Sequence, residues 1–376
     1  MTNQPSFLAE TILEINWKAI QHNIAYFKSK LKTDTQLMVM LKASAYGSGA
    51  VQLAQKLEKE QLCSYIAVAY PSEGVELRKS GITLPIMILN PGVNTWEELT
   101  KHCLEPEIHN IELLKSFAKF LSNSESIKDG NYAIHLKFDT GMNRLGIDEV
   151  ELSQLKDLLT ALSSIQVKSV MTHLSSAGIL EEEEFTRAQL DQFDRIKKEL
   201  YNFLPQEPIA HALNSFGIER YPEYQYDMVR LGIGMYGAAA IDPLNKALVP
   251  ICKLKASISA IRKVKKGDSI SYSRSGKAPS DGYVATLSLG YADGMNRNLG
   301  NGKWEVEIGG KLYPTIGNIC MDLCMVFLGN DEISYGTEAI IFGGQKTIYE
   351  FAEAQKTITY EALTNIGTRV KKVLIN

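Results

Sequence analysis

The chain has 376 residues, of which 45% are hydrophobic and 22% charged, and its formal net charge is −3. This balance is typical of an ordinary globular protein and gives no electrostatic reason to expect nucleic acid or an anionic membrane as a partner. No apolar run approaches the length of a membrane span, and residues 1–16 lack the basic region and apolar core of a secretion signal. The length predicts two domains.

The cysteines and the short motifs narrow the chemistry further. Five cysteines form no C-x-x-C pair, and this odd, scattered set predicts reduced thiols and a cytoplasmic protein. Cys320 and Cys324 have no histidine cluster near them, so we expect core packing and predict no metal site. The chain has no H-E-x-x-H motif and no G-x-S-x-G motif that opens a helix after a strand, which argues against metallohydrolase and elbow-type serine chemistry.

From about Thr11 to Gly237, short apolar runs alternate with longer segments of helical periodicity. The segment Trp17–Leu31 is a predicted helix with an apolar face, and Asn16 is suited to cap it. A helix after Pro71 is predicted to end at Gly81. The predicted strands are Leu37–Lys42, Tyr65–Tyr70, Ile86–Asn90, Leu104–His109, Tyr132–Asp139, Ser169–Leu174, Ile209–Asn214 and Asp227–Ile233.

Eight strand–helix units in roughly 230 residues predict a (β/α)8, TIM-like barrel over residues 8–243. A doubly wound sheet also alternates strands and helices, but the count of eight and the lack of a qualified dinucleotide fingerprint favour the barrel. One glycine run, Gly232–Gly237, matches G-x-G-x-x-G. It fails as such a fingerprint because Ile251–Ile258, where an acidic partner is expected, holds no acid.

After Leu244 the alternation of apolar runs and helical segments gives way to strand-like runs broken by Gly, Asp, Asn and Lys. Residues 244–376 are therefore predicted to form a mostly antiparallel β domain. An alternative assigns the N-terminal strand near 9–15 to this second domain. Only Tyr360–Val373 has a helical pattern. The strand-like runs are Leu254–Val264, Ser269–Ser273, Tyr283–Tyr291, Trp304–Ile308, Tyr313–Phe327 and Ala339–Phe342.

Lys42 ends the first apolar run and is followed by small residues, a tyrosine and two glycines. A lysine at a strand end often extends to solvent. At the mouth of a barrel, however, desolvation lowers the pKa of a lysine and makes it a nucleophile that can form a Schiff base. Barrel enzymes place their chemistry at the C-terminal ends of their strands.

Polar residues end other predicted strands as well. Each alone has a bland explanation, such as a core histidine or a surface salt-bridge donor, but their joint placement indicates an active site. Ser215 and the Gly232–Ile233 backbone follow strands seven and eight, where barrels commonly bind phosphate. Lysine for an aldehyde and these groups for a phosphate together predict pyridoxal 5′-phosphate as cofactor. The strand-end residues are Lys137, Asp139, His173, Asn214, Ser215, Arg230, Gly232 and Gly234.

A series of ordered motifs across nearly the whole chain resembles bacterial alanine racemases. The motifs are Lys42–Gly47, His135–Met142, Thr172–His173, Asn214–Ser215, Met228–Arg230, Ser271–Tyr272, Gly290–Gly294, Cys320–Asp322 and Thr357–Glu361. The resemblance implies an isomerase that interconverts L-alanine and D-alanine with pyridoxal 5′-phosphate and supplies D-alanine for bacterial peptidoglycan. It also implies a homodimer whose active sites are shared between subunits.

The resemblance implies roles for individual residues. Lys42 carries the cofactor and acts as one base, and Tyr291 is the second base on the opposite face of the substrate. Arg144 and the Met321 amide hold the substrate carboxylate. Lys137 matches a lysine that is often carbamylated in relatives. The implied cofactor-binding residues are Tyr46, Ser215, Gly232, Ile233 and Tyr360 around the phosphate, Asn214 beside Ser215, and Arg230 at the ring nitrogen with His173 behind it.

The chain departs from the family pattern at four positions. Ser44 and Ser48 stand where relatives usually have asparagine and histidine, Asn318 where arginine is frequent, and Gly178 where an acid is common. These departures make the geometry of the site entrance and the tuning of pKa values less transferable from relatives. A serine or broad-specificity racemase is an alternative, although Tyr360 near the substrate side chain suggests a small pocket suited to alanine. A non-enzymatic pyridoxal-phosphate-binding barrel is disfavoured by the β domain and Tyr291, and a decarboxylase of the same fold by Arg230.

Overall fold

The computed structural model describes residues 10–124, 131–162, 164–239 and 244–376. Its backbone contacts divide the chain into two compact units. The barrel unit comprises Ile24–Ala45 and Ala50–Met235. The β unit comprises the segment through Asn23, the short stretch Tyr46–Gly49, and Tyr236–Asn376.

Eighteen strands lie in the described residues. In chain order they are β1 (Thr11–Asn16), β2 (Gln36–Met40), β3 (Tyr65–Val68), β4 (Ile86–Ile88), β5 (Glu105–Ile108), β6 (Tyr132–Lys137), β7 (Ile165–Met171), β8 (Ile209–His211), β9 (Met228–Leu231), β10 (Cys252–Val264), β11 (Ser269–Ile270), β12 (Gly276–Lys277), β13 (Gly282–Leu287), β14 (Glu305–Ile308), β15 (Lys311–Pro314), β16 (Cys324–Gly329), β17 (Glu338–Phe342) and β18 (Lys371–Ile375).

The barrel unit is built on β2 to β9, which pair in parallel throughout. The order runs β8-β7-β6-β5-β4-β3-β2-β9. Backbone hydrogen bonds from Asp227 N to Ala210 O (3.1 Å) and from Arg230 N to Leu213 O (3.0 Å) join the two end strands. Every residue of β3 and β4 is buried, as expected for parallel strands covered on both faces. The predicted (β/α)8 barrel is confirmed, and each predicted run overlaps one strand, although β7 begins at Ile165, four residues before the predicted run.

Helices alternate with these strands and bury one face each. In Ile111–Asn123, for example, Leu114, Phe117 and Leu121 are buried, and the Asn110 side chain caps the helix by accepting from the Leu113 amide at 2.7 Å. The predicted cap at Asn16 is also present, because its Oδ1 accepts from the Ala19 amide at 3.0 Å. The right-handed helices are Trp17–Lys28, Ala50–Lys59, Pro71–Lys79, Trp96–Lys101, Ile111–Asn123, Leu152–Ala161, Glu183–Tyr201, Ser215–Arg220, Leu244–Ala247, Ile348–Ala354 and Thr359–Thr364.

The β unit contains a largely antiparallel sheet, in agreement with the predicted second architecture. Its main path is β15-β14-β17-β10-β1-β18, and β13 joins β10 to β16. β1, whose placement the sequence left open, pairs antiparallel with β10 and parallel with β18. β11 and β12 form a separate small hairpin.

Two details of the second region were predicted wrongly. The helical pattern of Tyr360–Val373 covers only a short helix, Thr359–Thr364, after which Lys371–Ile375 forms β18 beside β1. Pairing with a neighbouring strand overrides the weak helical periodicity there. The run Tyr313–Phe327 is two strands, not one, because Gly317 with φ +74° turns the chain between β15 and β16.

The described helices also bear on membrane insertion. Within residues 10–124, 131–162, 164–239 and 244–376, no helix has the length and apolarity needed to cross a bilayer.

Candidate active site

Lys42 follows β2 and starts a left-handed turn that runs to Tyr46. Ala43, Ser44 and Ala45 have φ of 52°, 51° and 53°. Such a conformation costs a residue with a side chain roughly 1–2 kcal/mol. The Ala43 amide donates to Glu73 Oε1 at 2.6 Å, so the helix Pro71–Lys79 helps to hold the turn. Backbone strain concentrated next to one lysine is typical of a functional site.

The surroundings of Lys42 favour the neutral form of its amine, so the group loses its proton more readily than a free lysine does. Burial lowers the pKa of Lys42, and the Arg144 guanidinium and the Lys137 ammonium lower it further against the opposing effect of the Glu73 and Glu107 carboxylates. A half-buried lysine with this bias is suited to act as a nucleophile and a base. The structure thus brings Lys42, Arg144 and Lys137 into one electrostatic environment in the barrel unit.

Arg230 on β9 is buried in the barrel interior and held by several partners. Its described hydrogen bonds go to the carbonyls of His211, Thr172 and Ala212 and to the imidazoles of His211 and His173. Burial lowers the pKa of Arg230 to about 10, still well above neutral pH. The side chain therefore presents a rigid positive charge at the end of the barrel strands.

These bonds fix the protonation of the two histidines. An arginine only donates, so the Nδ1 atoms of His211 (2.7 Å) and His173 (3.3 Å) must accept, and each neutral ring carries its proton on Nε2. Burial and the Arg230 charge both keep the pKa of His173 and of His211 well below the ordinary value. His173 therefore lies beside Arg230, as the sequence predicted, and is neutral.

A chain of hydrogen bonds continues from His211 across the barrel. Its Nε2 donates to Ser169 Oγ (2.9 Å), Ser169 then donates to His135 Nδ1 (2.6 Å), and His135 Nε2 donates to a Glu105 oxygen (2.9 Å). The same carboxylate accepts from the Tyr65 hydroxyl at 2.5 Å. The donor directions are consistent from Arg230 to Glu105, so the network holds Arg230 in one orientation.

Ser215 and the glycines after β9 converge on one point. The amides of Gly232 and Gly234 donate to Ser215 Oγ at 3.0 and 3.1 Å. A Cβ on Gly234 would lie 2.4 Å from the Phe27 ring, so the backbone packs closely there. Asn214 positions Ser215, because its Oδ1 accepts from the amides of Phe216 (3.1 Å) and Gly217 (3.0 Å).

Two further predicted cofactor residues lie together in the β unit. The Tyr46 ring centroid is 4.5 Å from that of Tyr236 and 6.0 Å from that of Tyr360. Burial raises the pKa of Tyr360 to about 12, so its hydroxyl stays protonated. Gly47 continues the turn with φ +80°, and a Cβ there would lie 2.3 Å from the Leu363 carbonyl oxygen.

Tyr291 and Met321 also lie in the β unit, on neighbouring loops. The Tyr291 amide donates to Cys320 O at 3.0 Å, and the Ala292 amide donates to Met321 O at 3.0 Å. Tyr291 is 43% exposed and Met321 54%, so both side chains face outward from this chain. The structure therefore joins the predicted second base and the predicted carboxylate-binding amide at one exposed site.

A buried carboxylate supports the Tyr291 loop. Asp293 accepts from the Gly290 amide at 2.8 Å and from Arg369 Nε at 2.7 Å and Nη2 at 3.0 Å. Arg369 Nη1 also lies 2.7 Å from Asp322 Oδ1, next to Met321. This bridge ties the two loops together.

Sequence reasoning missed several of these positioning residues. Glu73, His211 and Arg369 give no signal in one sequence, because each acts through a partner distant along the chain. The sequence did carry a signal for Glu107. Glu105 and Glu107 occupy alternate positions of a predicted buried strand, so both side chains point to the same face of that strand. Of the departures from the family pattern, Ser48 Oγ lies 3.6 Å from Cys252 Sγ, and Asn318 Nδ2 donates to Tyr272 O at 3.2 Å.

Comparison with protein families assigns the whole architecture. The family model for the alanine racemase N-terminal domain matches residues 15–240, and that for the alanine racemase C-terminal domain matches residues 251–374. The chain belongs to the alanine racemase family. Curated relatives agree over nearly full length. An alanine racemase of Treponema denticola is 35% identical and covers 95% of this chain and 96% of its own. An alanine racemase of Carboxydothermus hydrogenoformans is also 35% identical, and the match covers 96% of this chain and 98% of the relative.

Solved structures give the same answer. The alanine racemase of Clostridium difficile 630 superposes with a TM-score of 0.91 at 32% identity, covering 98% of this chain and 97% of its own. The alanine racemase of Bacillus anthracis with bound L-Ala-P superposes with a TM-score of 0.90 at 29% identity, covering 98% and 96%. The family resemblance read from the motifs is confirmed.

Proposed function

We propose that this protein interconverts L-alanine and D-alanine with pyridoxal 5′-phosphate, using Lys42 and Tyr291 as two bases. The observation that carries the proposal is the electrostatic preparation of Lys42, a strand-end lysine whose pKa is lowered in a chain of the alanine racemase family. Supplying D-alanine for peptidoglycan is the role that this activity implies.

The barrel residues fit a phosphorylated aldehyde. Lys42 offers an amine to the aldehyde, and Ser215 with the Gly232, Ile233 and Gly234 backbone offers hydroxyl and amide donors for a phosphate. The two amides already converge on Ser215 Oγ in a close-packed turn. Tyr46 and Tyr360, both protonated, would add hydroxyl donors to the phosphate, while Asn214 keeps Ser215 in place.

Arg230 would face the ring nitrogen of the cofactor, with His173 behind it. A permanent positive charge there disfavours protonation of that nitrogen, and the neutral His173 adds no competing charge. When bound, the cofactor supplies an electron sink that stabilises negative charge at the substrate Cα. The network through His211 to Glu105 keeps Arg230 from reorienting.

Two bases follow from the stereochemistry. Racemisation removes the Cα proton from one face and returns a proton to the other, and a single base could only reverse its own step. Lysine and tyrosine have free pKa values near 10, so both need help from their surroundings. For Lys42 that help is burial together with Arg144 and Lys137. Arg144 and the Met321 amide would hold the substrate carboxylate and fix which face each base sees.

We propose a homodimer in which Tyr291 and Met321 complete the active site of a second copy of the chain. Support comes from the β unit, where these exposed side chains lie beside Leu323, 40% exposed, and Tyr272, 71% exposed. Ser271 Oγ donates to Asn318 O at 2.8 Å, which places the Tyr272 loop next to the Cys320–Leu323 loop. Such an apolar surface around functional groups is typical of a subunit interface.

The division into a cofactor barrel over 8–243 and a β domain over 244–376 belongs to the same proposal, as does a cytoplasmic location. A serine or broad-specificity racemase is the alternative. The test is a chiral assay of the purified protein with L-alanine, L-serine and L-lysine. We expect racemisation of alanine far above the others. If the protein prefers serine, serine replaces alanine as the proposed substrate. If it racemises none of the three amino acids, the proposed activity is wrong.

A further inference from the structure

The Glu73 carboxylate, in the first turn of the helix Pro71–Lys79, binds backbone amides of two separate segments. Its Oε2 accepts from the amides of Ala69 at 2.7 Å and Tyr70 at 3.1 Å, where the chain passes from β3 into the helix. Its Oε1 accepts from the Ala43 amide at 2.6 Å, just after Lys42. One carboxylate therefore joins the turn that follows β2 to the segment that follows β3.

The turn after Lys42 needs support from outside itself. Its four consecutive residues Ala43–Tyr46 all carry side chains, and their φ angles lie between 51° and 53°. In this left-handed conformation the Cβ atom crowds the following carbonyl oxygen, so glycine adopts it freely and asparagine more readily than serine or alanine. Ala43 and Ser44 are exposed, so burial of their side chains does little to hold them. The bond to Glu73 is therefore placed where the turn is least supported.

The charge of Glu73 acts on the turn and on Lys42 at the same time. A hydrogen bond to an ionised carboxylate is stronger than one between neutral groups, which favours a firm hold on the Ala43 amide. Burial is the largest influence on the pKa of Lys42 and lowers it, as do Arg144 and Lys137, whereas the Glu73 carboxylate raises it. Replacing Glu73 should therefore change both the backbone next to Lys42 and the ease with which the lysine loses its proton.

We propose that Glu73 is a positioning residue for Lys42, because its carboxylate holds the left-handed turn Ala43–Tyr46 and so fixes the backbone from which the Lys42 side chain extends. The turn contains no glycine or asparagine, so this chain depends on Glu73 more than a chain with asparagine in place of Ser44 would. The hold on the turn can be measured without any activity, whereas its effect on catalysis rests on the proposed function of Lys42.

The first test is amide hydrogen exchange of the full-length protein, resolved to single residues by mass spectrometry. The side chain in Glu73→Gln has one acceptor oxygen, which cannot serve both segments, so the Ala43 amide should exchange about 10- to 100-fold faster than in wild type. The amides of Leu77 and Arg78, later in the helix, should exchange as in wild type. Glu76→Gln, which removes an exposed carboxylate of the same helix, is the matched control and should leave Ala43 unchanged.

Two results would overturn the proposal. Equal exchange of the Ala43 amide in wild type and Glu73→Gln would mean that Glu73 does not hold the turn. Equal acceleration of the turn and the helix would mean that Glu73 only stabilises the helix. If Glu73→Gln does not fold, Glu73→Asp is measured instead. Aspartate keeps the negative charge that suits a helix start, but it is one methylene shorter and should release the Ala43 amide in the same way.

The second test uses both variants to separate position from charge in racemisation, with alanine or whichever amino acid the chiral assay identifies. Glu73→Gln and Glu73→Asp should each lower kcat about 10- to 100-fold with KM nearly unchanged, because both release the turn. Only Glu73→Gln should move the acidic limb of the kcat profile to lower pH, because it removes the carboxylate that raises the pKa of Lys42. Wild-type kcat in both variants would contradict the role in catalysis, even if the Ala43 amide exchanges faster.

A third measurement asks whether strain in the turn is what Glu73 opposes. In Ser44→Asn the turn should need less support, so the loss in kcat caused by Glu73→Gln should be about two- to fivefold smaller in that background than in wild type. Ser72→Asn, at an exposed position of the helix Pro71–Lys79, is the control and should give no such rescue. Equal losses in the Ser44→Asn and wild-type backgrounds would contradict the role of Glu73 in holding a strained turn.

Discussion

The two proposed bases lie in regions that differ in how complete they are. Around Lys42, the barrel unit provides burial, cations and a strained turn, and together they lower the pKa of the lysine. Around Tyr291, the β unit provides position: the loop is tied by backbone bonds to Cys320 and by the Asp293–Arg369 bridge, but the side chain is 43% exposed. One base has its pKa lowered by its own unit, and the other is held in position at an exposed surface.

This difference between the two regions indicates where the groups that would activate Tyr291 come from. A tyrosine hydroxyl becomes a useful base when nearby positive charge favours its ionised form, so the exposed Tyr291 needs cations from outside its own unit. A second copy of the chain, with the Lys42 environment, would offer them. The asymmetry of preparation is therefore an argument for a shared site as well as for two bases.

The largest effect should come from breaking the prepared region itself. Lys42→Ala removes the amine that binds the cofactor and should lower kcat about 10⁴-fold or more, because covalent attachment and one base are lost together. The visible absorbance of the lysine-bound cofactor should disappear with the activity. Lys59→Ala, at an exposed position of the next helix, is the control. Wild-type activity in Lys42→Ala would refute the reading of the site.

Removing the second base should separate binding from reaction. Tyr291→Phe should lower kcat about 10²- to 10⁴-fold while leaving the cofactor absorbance unchanged, because the hydroxyl transfers a proton and belongs to the β unit. The exposed Tyr335 offers a matched control in Tyr335→Phe. The two-base scheme fails if the Tyr291 variant racemises at the wild-type rate.

The sequence predicted the features of the fold and site that have local signals, and it did not predict those that depend on contacts between distant parts of the chain. The barrel, the second β domain and the set of strand-end residues were predictable, because periodicity and motif order are local signals. His173 Nδ1 lies 3.3 Å from Arg230 Nη2, so the two side chains are neighbours, as the family resemblance implied. Glu73, His211, Arg369 and the ionic setting of Glu107 were not, because each depends on which side chains face each other across the fold. β18 was missed because strand pairing with β1 decides its conformation.

A weaker effect is expected from disturbing the proposed interface. Leu323→Glu places a charge on the exposed apolar surface beside Met321 and should weaken the dimer. Specific activity should then fall about tenfold on dilution and recover at high protein concentration, while the cofactor absorbance is constant. Val150→Glu, at an exposed position of the barrel unit, should have no such effect. Activity independent of concentration in a variant shown to be monomeric by sedimentation would remove the shared site.

The smallest effect concerns stability and the cost of preparing the barrel. Because the folded-state pKa of Glu107 is raised to about 7, the folded protein binds a proton there that the unfolded chain releases at lower pH. Stability contributed by this group is therefore lost as pH rises through about 5 to 8. Relative to wild type, Glu107→Gln should gain about 2 to 3 kcal/mol in unfolding free energy over that interval. Denaturant titrations of both proteins at about pH 5 and about pH 8 check this. The same change in unfolding free energy with pH in wild type and Glu107→Gln would contradict it.

The most direct test of the two-base account is α-proton exchange in D₂O. In Tyr291→Phe, NMR should detect deuterium incorporation into one enantiomer of alanine only, without racemisation, because Lys42 still serves its own face. The wild type should incorporate deuterium while racemising from either enantiomer. Exchange of both enantiomers at equal rates in Tyr291→Phe would mean that a single group reaches both faces, and the assignment of Lys42 and Tyr291 to opposite faces would be wrong.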